Sequence, residues 1–133
     1  MALACALFAL LLFSPPQNFL ADGLKALDAN QPAAAEPLLR QAVEADPNDY
    51  SAHFNLGLAL SLQQKDTEAI AEYREAIQLN SNNQAVHYSL GIAYEHKGNR
   101  QAALQEYRTA QGLDPQNAIY QKAYERLNSQ GNK

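Results

Sequence analysis

The chain holds a single cysteine, Cys5, which rules out an internal disulfide and leaves the redox compartment undecided. It has no block of basic residues. Its ten Lys and Arg are mixed with fourteen Asp and Glu for a formal net charge of -4, so no surface is built to neutralise phosphates and nucleic acid is excluded as a partner. Neither a glycine-rich phosphate loop nor a nucleophile elbow occurs. The apolar run Ala2 to Phe13 is twelve residues long, short of the roughly 20 that a membrane-spanning helix needs. Three histidines remain as candidates for chemistry. His87 and His96 are nine residues apart, on opposite sides of a helix, and cannot hold one ion; Glu95-His96 lacks a second histidine at metalloprotease spacing. His53 and His87 share a helix side that faces inward. No metal, no cofactor and no catalytic residue is expected, and hence no enzyme.

What the chain does have is a period. Shifted by 34 residues, Asn55-Leu56-Gly57 falls on Ser89-Leu90-Gly91, Ala69 on Ala103, Tyr73 on Tyr107, Ala76 on Ala110 and Leu79 on Leu113. A further shift brings Gly23 under Gly57, Ala35 under Ala69, Leu39 under Tyr73 and Ala42 under Ala76. Three copies follow: 16–49, 50–83 and 84–117, or 102 of 133 residues. Each reads as two short helices joined by a tight turn, neither able to bury its apolar stripe without a neighbour.

The period, the Leu-Gly of the first helix, the small-x3-aromatic-x2-small run of the second and the closing Asp114-Pro115 resemble the tetratricopeptide repeat family. In the third copy Leu90, Gly91, Tyr94, Gly98, Ala103, Tyr107, Ala110 and Pro115 all match its pattern. The resemblance implies an all-α, right-handed α-solenoid of three antiparallel helix pairs that binds protein partners in a concave groove. One subclass of the family grips peptide C-terminal carboxylates from five groove positions. Those positions here hold Leu20, Leu24, Asn55, Ala85 and Ser89; only Asn55 matches, so that mode is not expected.

The junctions predict where helices begin. Asp49, Asn83 and Asn117 share one repeat slot and are preferred N-caps. The intra-repeat turn carries Asn30, Gln64 or Gly98 where a left-handed backbone is expected. The first copy is irregular. Its first helix is expected from Gln17, Asp22 stands where the others carry Leu56 and Leu90, and Pro37 predicts a bent or late start to its second helix. After Asn117, Tyr120, Tyr124 and Leu127 at i, i+4, i+7 predict a capping helix over 118–128 and a frayed tail over 129–133.

Residues 1–15 form an apolar leader. Its run fits the core of a secretory signal, although no small-x-small cleavage site follows. Export or membrane contact through residues 2–13 is the expectation; the alternative is a cytoplasmic chain whose leader lies on its own repeats.

On the first helix of each repeat, positions 4, 7, 8 and 11 point toward the partner helix and positions 2, 5, 9, 12 and 13 point away. The second set predicts a groove strip of Leu20, Leu24, Leu27, Phe54, Leu58, Leu62, Tyr88 and Ile92, with Glu95 and His96 as polar ends. A strip of that length suits a protein or peptide partner with an apolar or amphipathic helical segment. Self-association or membrane tethering as a structural module is the competing use.

Overall fold

The computed structural model describes residues 17–131. Among them the chain forms seven helices and no strand: α1 Phe19–Asp28, α2 Pro32–Ala45, α3 Tyr50–Leu62, α4 Asp66–Leu79, α5 Gln84–His96, α6 Arg100–Leu113 and α7 Ala118–Ser129. Each helix packs on the next, which makes an α-solenoid of three hairpins closed by α7. The leader, with its expected export or membrane contact, lies outside the described residues. Among those residues no helix is long and apolar enough to cross a membrane.

Side-chain caps set the helix starts. Asp49 accepts the backbone N–H of Ser51 and Ala52, Asn83 that of Ala85, and Asn117 that of Ile119. Asn18 and Asn99 cap α1 and α6 in the same way through Ala21 and Ala102. Each such cap stabilises by about 1 kcal/mol. Each first helix ends on a left-handed residue, Asn30 (φ 55°), Gln64 (φ 61°) or Gly98 (φ 74°). That residue turns the chain so that the next N–H reaches back into the last turn: Gln31 to Ala26, Lys65 to Leu60 and Asn99 to Tyr94.

Repeat one departs from expectation in two places. Its first helix begins at Phe19 rather than Gln17, because Asn18 is the cap. The late start expected at Pro37 is not found: α2 begins at Pro32 and runs through Pro37. Pro32 sits in the first turn, where a missing N–H costs nothing. Pro37 forgoes one bond to the turn of Ala33, and both residues are exposed, so water can serve the vacant acceptor.

Small residues let the helices approach. Ala52 and Ala59 of α3, and Val86 and Ala93 of α5, are fully buried against the preceding repeat. Within each repeat a glycine of the first helix receives a large side chain of the second: Gly23 takes Leu39, Gly57 takes Tyr73 and Gly91 takes Tyr107. A Cβ at Gly57 would stand 2.6 Å from the Tyr73 ring, and one at Gly91 2.5 Å from Tyr107. Nothing larger than glycine fits without movement.

The two ends trade these faces for polar ones. In repeat one the slots of Ala52 and Ala59 hold exposed Asn18 and Lys25, while in α7 the face that would pack on a following helix carries exposed Gln121, Glu125 and Asn128. α7 keeps the other face and buries Tyr120, Ala123 and Leu127 on α6 and α5. It ends at Ser129, one residue past the expected 128, and the Arg100 guanidinium donates to the carbonyls of Leu127 and Asn128 there.

A candidate partner-binding face

Successive first helices approach one another directly, α1 to α3 and α3 to α5. Successive second helices are bridged through long side chains, as in Arg40 to Glu68. The first helices therefore lie on the inside of the curve, and their positions 2, 5, 9, 12 and 13 form its inner face.

The structure divides the ten residues expected there. Leu20, Leu27 and Phe54 are half-buried and pack onto the main core, with Phe54 between the Tyr50 ring at 6.0 Å and the Tyr73 ring at 6.1 Å. Tyr88 lies between Tyr107 (5.6 Å) and Tyr120 of α7 (5.2 Å). Glu95 is engaged rather than free: Arg126 of α7 grips both of its oxygens at 2.6 and 2.7 Å, and the Tyr107 hydroxyl donates to it at 2.8 Å. The Arg126 guanidinium, with help from Tyr107 and against burial, holds the Glu95 carboxyl below the usual carboxylate range. Leu24 and Leu62 stay exposed at 36% and 54%, and between them and α7 lie half-buried Leu58 and Ile92 and exposed His96.

Sequence reasoning missed the part of this face that α7 supplies. One period beyond Ala85, Tyr88 and Ile92 come Ile119, Lys122 and Arg126. With Tyr88 and Ala123 they line a cavity of about 370 Å³. Carrying the register one helix further would have found them. A larger cavity, about 410 Å³, lies at the edge of repeat one around Phe19, Ala42 and Asp46 and takes in Leu20 of the strip.

His53 and His87 are buried, each with both ring nitrogens engaged. Nδ1 of His53 meets Glu72 at 2.7 Å and Nε2 the Pro47 carbonyl at 2.8 Å; His87 meets Glu106 at 2.7 Å and the Ser81 carbonyl at 2.9 Å. A carboxylate and a carbonyl both accept, so the doubly protonated ring is the form that satisfies both partners. For His53, burial opposes the charge, but Glu72 and the Pro47 carbonyl outweigh it and raise the pKa; for His87, Glu106 leads over burial to the same end. These histidines tie the first helix to the second and to the preceding turn. Glu72 is half-buried as His53's partner, while its neighbour Glu75 on the same helix stays exposed. Among the described residues no group of three or more His, Cys, Asp or Glu could hold a metal ion.

The fold so described is a helical-hairpin array with its inner face partly open. Two family models described as tetratricopeptide repeat match residues 20–84 and 62–127, which overlap to span nearly all of the array. The chain belongs to the tetratricopeptide repeat family. Among solved structures it is similar to YrrB, described as a TPR protein with an unusual peptide-binding site, at 27% identity and a TM-score of 0.77; the match covers 80% of this chain and 55% of that one. It superposes on MamA with a TM-score of 0.86 at 23% identity, over 94% of this chain and 75% of that one. The first TPR of Spaghetti (RPAP3), bound to an HSP90 peptide, gives a TM-score of 0.83 at 17% identity, over 86% and 91%. The last two show the fold alone. No curated protein matches the sequence.

Proposed function

We propose that this protein is a non-enzymatic interaction scaffold whose inner face binds a segment of a partner protein, with an amphipathic helix as the best-fitting form. One observation carries the reading. Leu24 and Leu62 stand exposed at 36% and 54% on the first helices, with Ile119 of α7 at 58%, while the other apolar residues of the strip are more than half covered, and a helix bearing an apolar stripe would cover Leu24 and Leu62. The peptide-binding site of the neighbour YrrB supports it. The chemistry differs from carboxylate capture: Leu20, Leu24, Ala85 and Ser89 occupy the gripping positions, and the Asn55 amide is turned back onto the Ser51 carbonyl at 2.8 Å.

The test is a double variant, Leu24→Glu with Leu62→Glu. Both side chains are exposed, so stability should move by no more than about 0.5 kcal/mol per site. Affinity capture from native lysate should lose the proteins retained by the wild type. An unchanged set of captured proteins would show that the face is not used. For residues 2–13 we propose export or membrane attachment, which fractionation of the full chain tests.

A further inference from the structure

The inner face contains its own template for how a polar group can be bound there. In repeat three the Tyr107 hydroxyl reaches through the first-helix layer and donates to the Glu95 carboxylate at 2.8 Å, and Arg126 of the next element neutralises that carboxylate. Tyr73 is the same residue one repeat earlier. There the slot of Glu95 holds the short Ser61, and the slot of Arg126 holds Ile92. The space that Glu95 fills in repeat three is open in repeat two: a cavity of about 180 Å³ with Leu58 and Ile92 as walls, Tyr73, Ser61 and Ser89 as polar lining and His96 at the rim. Tyr73, Ser61 and Ser89 bring their hydroxyls to one cavity there.

We infer that this cavity is a subsite for a side-chain carboxamide, an Asn or Gln of the bound partner. The inference rests on the inner face being the docking surface. The Ser61 hydroxyl donates to Asp66 and keeps its lone pairs to accept, while those of Tyr73 and Ser89 can rotate to donate or accept. Together they match a group that does both, which a carboxamide does and a carboxylate or ammonium does not. Charge argues the same way. No Lys or Arg lines the cavity, and the nearest acid, Asp66, is bonded to His96 at 3.2 Å and approaches Ser61 at 3.4 Å. A carboxylate would enter beside Asp66 without the cation that Arg126 supplies one repeat later, and burying an unpaired charge is costly. An ammonium would find Asp66 already held by His96.

The experiment uses the full chain with labelled Leu and Ile methyl groups and three small probes: butyramide, butyrate and n-butylammonium. Butyramide should shift the Ile92 and Leu58 methyl signals saturably, and the two charged probes should not. Tyr73→Phe keeps the ring and removes the hydroxyl; it should weaken the amide by about fivefold, the worth of one hydrogen bond. Ser61→Glu puts into the cavity the side chain that fills it in repeat three, though without the Arg126 partner, and should abolish the response, and Ser89→Ala serves as the check should that variant fold poorly. An equal response to butyrate or butylammonium, an amide response that survives both Tyr73→Phe and Ser89→Ala, or no response to any probe overturns the subsite. The docking reading stands or falls separately, on capture by the Leu24 and Leu62 variant.

Discussion

Repeat one and the two repeats after it solve the same packing problem with different chemistry. In repeats two and three a buried histidine joins the first helix to a glutamate on the second and a carbonyl on the preceding turn. In repeat one the slots of His53 and Glu72 hold Phe19 and Leu38, both half-buried. The glycine pocket differs in parallel. Gly57 and Gly91 receive tyrosines whose hydroxyls emerge toward the inner face, whereas Gly23 receives Leu39, which has nothing to present there. The histidines are thus one of two ways in which this chain fills a packing slot, and tyrosine hydroxyls reach the inner face only from repeat two onward.

The glycine pocket offers the largest effect. Gly91→Ala and Gly57→Ala each drive a methyl against a tyrosine ring held at essentially zero exposure, at 2.5 and 2.6 Å. The helix gain from Ala, up to about 1 kcal/mol, is outweighed by overpacking, so each should lose about 2 kcal/mol by urea denaturation. Gly23→Ala should lose less, because Leu39 can change rotamer where a ring cannot and α1 has no repeat stacked on its outer side among the described residues. Equal losses at all three sites would erase the distinction between the repeats.

Next comes a graft of repeat one's solution into repeat three. His87→Phe alone strands the Glu106 carboxylate and the Ser81 carbonyl, and should cost about 2 kcal/mol. His87→Phe with Glu106→Leu installs the Phe19 and Leu38 pair, and should recover most of that loss in a double-mutant cycle. A double variant no better than the single one would mean that the ionic link cannot be replaced by packing.

The same comparison predicts a pH dependence. The pKa values of His53 and His87 are raised above 6.5, so their stabilisation is complete below the unfolded value and is lost as pH rises through the folded ones. The wild-type Tm should therefore fall as the solution moves from about pH 6 toward pH 9. The grafted variant should fall about half as far, having kept one histidine of two. At the acid end Glu36 behaves oppositely. Lys65, with Arg40 and Gln63 and against burial, pulls its pKa down to about 2, so its contribution is present above about 4.5 and fades only in strong acid.

How much of this could be read from the sequence follows from how local each feature is. The caps at Asp49, Asn83 and Asn117 and the Gly-Tyr pairing recur every 34 residues, and each follows from a short stretch of backbone, so the period exposed them. The His53 to Glu72 contact spans 19 residues and is decided by how two helices rotate against each other. From spacing alone Glu72 looks the same as a solvated neighbour such as Glu75. The residues expected along the groove are not all open, because Tyr88 and Glu95 are claimed by α7. Pro37 misled because the cost of its missing N–H depends on exposure, which sequence does not give.

The smallest expected effect lies in the turns and separates repeat two from both neighbours. All three turns need a left-handed residue, and the slots hold Asn30, Gln64 and Gly98 at φ 55°, 61° and 74°. Glycine adopts that backbone freely and asparagine tolerates it, whereas a glutamine's Cβ crowds the carbonyl oxygen at a cost of roughly 1 kcal/mol. Gln64 is exposed, and the cavities it borders take their charge from Asp66, Lys65 and Lys97 rather than from its amide. Gln64→Gly should therefore raise stability, by an amount trimmed to about 0.5 kcal/mol by the greater freedom glycine gives the unfolded chain. Asn30→Gly should do nearly nothing and Gly98→Gln should lose what Gln64→Gly gains. Thermal melts of the three variants side by side would show whether the middle turn carries that strain.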